Sequence, residues 1–225
     1  MALYQAVPSL NAELTAWRRG HRFVAGVDEA GCGPLAGPLV AGAVILDPQR
    51  ARTWWSDLRD SKLLAQEERE RLAERIRDEC CWGIGIVSNE FVDDHGLTMA
   101  RKRAMLLAVE ALPQAPDMLL IDGISLCEYP HRTIIHGDAL SQSIAAASII
   151  AKVHRDRLME DYHPQYPEYG FNENRGYATP EHKRALDEHG PCPIHRRLFA
   201  PVRAALEARG STVDVPGGIV VPITE

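Results

Sequence analysis

The chain has 225 residues, 45% hydrophobic and 25% charged, with a formal net charge of −6. That is ordinary for a globular protein with one sizeable core, and no apolar run is long enough to span a bilayer. Five cysteines (32, 80, 81, 127 and 192) form no CxxC pair, which argues against a disulfide framework and for a reducing compartment. The opening residues, MALYQAVPSLNAEL, lack the segments of a secretory signal, so the expectation is a single cytoplasmic domain over residues 1–225. The acidic balance weighs mildly against a nucleic-acid partner. That objection weakens where acids gather around a metal, because bound cations reverse the local sign.

In chain order, residues 1–21 read as a helical lead-in, with Leu10, Leu14 and Trp17 at helical spacing. Two apolar runs, 23–27 and 39–46, read as strands joined by a turn rich in glycine and proline. Residues 54–62 read as a loop and 66–80 as a charged helix with Leu72 and Ile76 on its apolar face. Residues 82–87 predict a strand, and 89–112 a helix broken at Gly96. Two further strands are expected at 118–121 and 133–135, then a long helix over 140–161 that is small and apolar in its first half. Thr179 and Pro180 predict a helix start that Gly190 ends. A last helix is placed at roughly 195–209, and a loosely attached tail over 210–225. The condensed order is β-β-β-α-β-α-β followed by helices. This is an α/β fold with a mixed sheet, flanking helices and a helical C-terminal region at about 163–209.

Three apolar runs end in an acid: FVAGV in Asp28 and Glu29, MLLI in Asp122, and TIIHG in Asp138. Carboxylates at the ends of neighbouring strands can converge at one sheet edge. Oxygen donors without a matching His or Cys cluster select Mg²⁺ or Mn²⁺ over zinc, and two such ions can clamp an in-line phosphoryl displacement. Adjacent residues of a regular strand point to opposite faces, so the strand is expected to end or bulge at Asp28 and Glu29. Gly31 and Gly33 follow at once and can take backbone angles closed to other residues.

Other chemistries fit less well. Gly31, Gly33 and Gly37 precede a strand instead of opening a helix, which rejects a dinucleotide fingerprint, and no P-loop is present. His189, Cys192 and His195 have prolines among them and no partner pair elsewhere, so a zinc site is not expected. Ser141, Ser143 and Ser148 read as small packing residues of the long helix.

The stretch VDEAGCGPLAGPLVAGAVIL, followed by Asp60-Ser61-Lys62, MLLIDG, GDALSQSIAAASIIAKVHRDRLM, YPEYGF, GYATPEH and GPCPIHR, resembles the ribonuclease HII family over about residues 22–203. The resemblance implies an RNase H-like mixed five-stranded sheet. It also implies a metal-dependent endoribonuclease with two Mg²⁺ or Mn²⁺ ions held by Asp28, Glu29, Asp122 and Asp138. Its substrates would be RNA–DNA hybrids and DNA duplexes with single embedded ribonucleotides, cut on the 5′ side to leave 3′-hydroxyl and 5′-phosphate ends. The glycine loop, here Gly31-Cys32-Gly33, would meet the 2′-hydroxyl, Tyr177 would stack on the neighbouring sugar, and Lys62 would contact phosphate. Two positions depart from the family pattern: Cys32 stands where arginine is usual, and Leu63 where a second lysine is common. Membrane attachment is not implied, and a monomer is expected.

Overall fold

The computed structural model describes residues 7–126 and 128–210. The tail expected to be loose lies, past Gly210, outside the described residues. Helix α1 (Asn11–Arg18) precedes strands β1 (Val24–Ala30) and β2 (Leu39–Ile45). Next come helix α2 (Gln66–Glu79), strand β3 (Cys81–Val87), helix α3 (Asn89–Glu110), and strands β4 (Met118–Asp122) and β5 (His131–Ile134). The helices α4 (Gly137–Leu140), α5 (Gln142–Tyr162), α6 (Phe171–Asn174), α7 (Pro180–His189) and α8 (Ala200–Glu207) follow. The strands form one mixed sheet in the order β3-β2-β1-β4-β5, antiparallel from β3 to β1 and parallel from β1 to β5. No helix among the described residues is long and apolar enough to cross a membrane.

Several expectations need correction. The observed order is β-β-α-β-α-β-β, the order of the elements taken one by one and not of the condensed string: α2 precedes β3 and no helix separates β4 from β5. Parallel neighbours usually need a helical crossover; here a short irregular link, punctuated by Gly123 at φ 62° and by Pro130, returns the chain. Part of the expected loop at 54–62 is a 3₁₀ turn, Thr53–Asp57, that buries Trp54 and Trp55. The final helix is shorter than 195–209. Its approach is tied down by Asp93, whose carboxylate accepts the Arg197 and Leu198 N–H groups. The expected break in α3 does fall at Gly96, at φ 77°. Thr179 caps α7 through the His182 N–H, and Gly190 ends it at φ 80°.

The described residues form two compact units. The first holds the sheet, with Leu39–Val87, Arg101–Arg155 and the chain up to Cys32; the second holds Gly33–Pro38, Ser88–Ala100 and the chain from Asp156 on. In the first unit, strand register sorts residues onto faces. Asp28 pairs with Gly42 and Glu29 with Ala41, so Gly26, Asp28 and Gly42 share one face while Glu29, Ala41 and Gly85 share the other. A methyl group on Gly26 would overlap the α5 backbone at Ser143, and one on Gly42 would come within 2.5 Å of the Ala147 carbonyl. Those missing side chains are why the small face of α5 can lie against this sheet. Gly83 and Gly85 give α3 the same close approach on the opposite face. Ile149 and Ile150 of α5 then join Val44, Leu72, Ile76, Trp54 and Trp55 in one buried cluster.

The second unit has its own core, built from Leu35, Tyr169, Phe171, Leu186, Ile194 and Val202 among others. The segment Gly33–Pro38 belongs to it through backbone bonds. The Leu35 N–H donates to the Gly176 carbonyl at 2.8 Å, and Leu35 accepts from the Arg196 N–H at 2.8 Å.

Candidate active site

Strand β1 neither ends nor bulges at the paired acids, contrary to expectation: it pairs regularly with β2 through Ala30. The strict alternation of the strand therefore sends the two carboxylates to opposite faces. Asp28 turns to the α5 face, where it is 4% exposed and hydrogen-bonded to the Ser148 hydroxyl. Glu29 turns to the α3 face and meets Arg101, with Nε 2.9 Å from Oε1 and Nη2 3.1 Å from Oε2. The glycine turn begins only after the strand. Gly31 takes a left-handed φ of 103°, whereas Gly33 does not need one.

Strands β1 and β4 run parallel, with Val27 beside Ile121 as their last pair. One further step in that register sets Asp28 beside Asp122 on the same face. An Asp122 oxygen accepts the Gly137 N–H at 2.6 Å. Position 137 is tight: a methyl group there would press on the end of the Ile144 side chain at 2.5 Å and lie 3.3 Å from that same Asp122 oxygen. Asp138 comes next, but not at the end of a strand as expected. It lies in the first turn of α4, after His136 at a left-handed φ of 55°. The Asp138 carboxylate faces Lys62 Nζ at 3.8 Å, and the Lys62 side chain is 75% exposed.

The electrostatics tie the acids together. Burial first, then the charges of Glu29, Asp122 and Asp138, hold the Asp28 carboxyl well above the usual carboxylate range, and the Ser148 hydroxyl opposes them only in part. Asp138 is raised as well, by burial and then by Asp60 and Asp122, against the pull of Lys62 and the Ala139 N–H. Among the described residues no three His, Cys, Asp or Glu side chains are drawn together tightly enough to hold a metal as they stand. Each carboxylate instead rests on its own partner: Ser148, Arg101, Gly137 or Lys62. The donor set nevertheless suits a hard divalent cation. It is all oxygen, it carries several negative charges within mutual reach, and burial makes those charges costly without a counter-ion.

Four residues of this site escaped sequence reasoning: Arg101, Ser148, Asp60 and Gly137. Three gave no signal, being one arginine among many, a serine on a small-residue helix and an acid in a polar loop. Gly137, directly before Asp138, was readable only once Asp122 was known to reach it. Cys32 donates its thiol to Glu29 Oε1 at 3.2 Å, inside the same group. In the second unit Gly33 and Tyr177 come together, so that a methyl group on Gly33 would lie 3.8 Å from the Tyr177 ring. His195 and Cys192 do contact one another, but His195 bonds to His182, and no metal cluster forms among the described residues.

The Ribonuclease HII family model matches residues 25–202. A Ribonuclease HII of Bacillus licheniformis is 49% identical over 203 residues, covering 89% of this chain and 78% of the relative. One of Pelotomaculum thermopropionicum is 51% identical over 188 residues, covering 82% and 70%. The solved ribonuclease H2 of Pyrococcus horikoshii superposes with a TM-score of 0.72 at 29% identity, covering 84% of this chain and 99% of that one. A Bst ribonuclease HIII solved in complex with Mn²⁺ has a TM-score of 0.67, covering 88% of this chain and 73% of that one; at 21% identity it speaks for the fold alone.

Proposed function

The chain belongs to the ribonuclease HII family and is an endoribonuclease of the RNase H type, and from that premise we propose that it cuts the RNA strand of RNA–DNA hybrids and incises 5′ of single ribonucleotides in duplex DNA. The observation that carries the metal-dependent part is Asp28: a buried carboxyl, just past the last parallel pair of β1 and β4, on which the charges of Glu29, Asp122 and Asp138 all act. Such a cluster is unfavourable by itself and becomes favourable around cations. Asp28, Glu29, Asp122 and Asp138 would hold two Mg²⁺ or Mn²⁺ ions. When bound, such a pair supplies activation of the attacking water and neutralises charge on the leaving 3′ oxygen.

The remaining roles fall to the chain's own groups. Ser148 orients the Asp28 carboxyl, and Arg101 fixes Glu29 by a two-point contact. The exposed Lys62 ammonium, 3.8 Å from an Asp138 oxygen, would meet a backbone phosphate. Backbone groups of Gly31, Cys32 and Gly33 would meet the 2′-hydroxyl, the group that separates RNA from DNA. Tyr177, beside Gly33 and 41% exposed, offers its ring to the neighbouring sugar.

A duplex DNA containing one ribonucleotide, incubated with Mg²⁺, with Mn²⁺ or with chelator beside an all-DNA control, tests the whole reading. Incision only 5′ of the ribonucleotide, only with metal, and leaving 3′-hydroxyl and 5′-phosphate ends is expected. Cutting of the control would sink the sugar selectivity. Binding without cutting would sink turnover.

A further inference from the structure

The proposed sugar contact, Tyr177, has an exposed ring on a fully engaged backbone. Its N–H donates to the Asn174 carbonyl at 2.9 Å, and its own carbonyl accepts the Thr179 N–H at 2.8 Å. The residue before it, Gly176, has a φ of 84° and sits so close to the loop that a methyl group would lie 2.6 Å from the Ala36 carbonyl. Behind this segment are two fully enclosed imidazoles, His182 at 0% and His195 at 1% exposure. His182 Nδ1 lies 2.8 Å from the Tyr177 carbonyl, and its Nε2 lies 2.9 Å from Nε2 of His195.

The hydrogens of this chain follow from what each partner can do. A carbonyl only accepts, so His182 must carry its proton on Nδ1. Neutral His182 then presents a lone pair at Nε2, and His195 must donate from its own Nε2. That leaves His195 Nδ1 as an acceptor, and the Cys192 N–H stands 3.0 Å away to fill it, with the Cys192 thiol at 3.1 Å. The wiring therefore runs from Cys192 N–H through His195 and His182 to the Tyr177 carbonyl, each of these three N–H groups donating once. Tyr169 and Phe171 wall in both rings, with centroids 4.9 Å and 5.8 Å from that of His195. Burial, and then the neighbouring His182, push His195 down to about 3, which keeps the pair neutral near pH 7.

We propose that the buried His182–His195 pair is a positioning device for the substrate contact Tyr177, transmitting the fixed turn at Cys192 to the backbone that carries the exposed ring. The histidines touch no substrate and act only through Tyr177. This rests on the reading of Tyr177 as a sugar contact, and its test separates the two.

Long-range ¹H–¹⁵N spectra of the wild-type 225-residue chain with labelled histidine, at pH 7.5, report the tautomers directly. His182 should show the Nδ1–H form and His195 the Nε2–H form; the reverse tautomers, or an imidazolium at either position, would overturn the wiring. Initial rates on a single-ribonucleotide duplex then test coupling. His182→Phe should lower kcat/KM about fivefold, the factor one net hydrogen bond is worth, and should add nothing further in a Tyr177→Ala background. Equal losses by His182→Phe in both backgrounds would overturn the positioning role while leaving Tyr177 in place. An inert Tyr177→Ala would instead remove the sugar contact itself, and the functional sense of the pair with it.

Discussion

The acidic edge of the sheet and the histidine core of the second unit both bury ionisable groups, and they treat them in opposite ways. At His182 and His195 each donor has an acceptor and both rings are neutral, so burial is satisfied within the fold. At Asp28 the nearby acidic charges are of its own sign, and only the Ser148 hydroxyl and the Glu29 N–H, 2.8 Å from Oδ1, are set against them. The first arrangement needs nothing further. The second is left unbalanced by the chain, and sites that must receive charge from outside look like this. The two regions thus handle buried ionisable groups under opposite rules.

The sharpest way to break that comparison is Asp28→Asn. Activity on hybrid substrate should fall at least about 100-fold, the scale for losing one preorganised electrostatic group. In chelator the same variant should melt higher than wild type, because an amide at this position removes both the buried charge and its repulsion from Glu29, Asp122 and Asp138. Lower activity with a lower melting temperature would mean that Asp28 is a structural group and that the contrast between the two regions is false.

The contrast also has a pH signature. Asp28 is raised, so its folded form holds a proton that the unfolded chain has released, and its contribution to stability is present below about pH 3.8 and lost as pH rises through the raised value. His195 is lowered to about 3 from an ordinary 6.5. Its contribution is present above pH 6.5 and drains away as pH falls toward 3, since only the unfolded imidazole takes up the proton. Acid therefore favours one region and undermines the other. Melting temperature in chelator should fall by several degrees between pH 6.5 and 4, at about 2–4 °C per kcal/mol for a chain of this size. Asp28→Asn should steepen that fall, because it deletes the group that acid stabilises. A slope unchanged by the substitution would count against the raised Asp28.

How much of this was readable in the sequence depends on the range of the interactions. Apolar runs and caps are local, so β1, β2, α2, β4 and the Thr179 start of α7 emerged close to their observed limits. The rule that acids stand where strands end fits Asp122, which closes β4, but not Asp28, because β1 runs on to Ala30. What failed was the geometry between elements. Nothing local says that β1 keeps its alternation through Glu29, because the partner that accepts Glu29 on the far face is Arg101, distant in sequence. Glu13 is a similar case. It is fully buried and accepts the Ser143 N–H at 2.9 Å and the Ser141 hydroxyl at 2.5 Å, so a residue of α1 helps set the break between α4 and α5. The expected continuous helix from 140 missed that break for this reason.

The smallest expected effect concerns Cys32, where the family resemblance leads one to expect arginine. The resemblance implies that a guanidinium near the substrate phosphates has been lost. The structure moderates this, because Glu29 already holds the Arg101 guanidinium at 2.9 Å and takes the Cys32 thiol on the same oxygen. A new arginine at position 32 would find its nearest carboxylate engaged and a like charge beside it. Its guanidinium would be driven outward, toward solvent and phosphate, where an exposed ion pair adds little. Cys32→Arg should therefore tighten binding of a hybrid duplex by only about two- to fivefold, and the gain should shrink as salt rises, since exposed charges are screened. Fluorescence anisotropy at low and physiological salt measures both. A gain of a hundredfold, or one indifferent to salt, would show that the Arg101–Glu29 pair does not stand in for the missing charge.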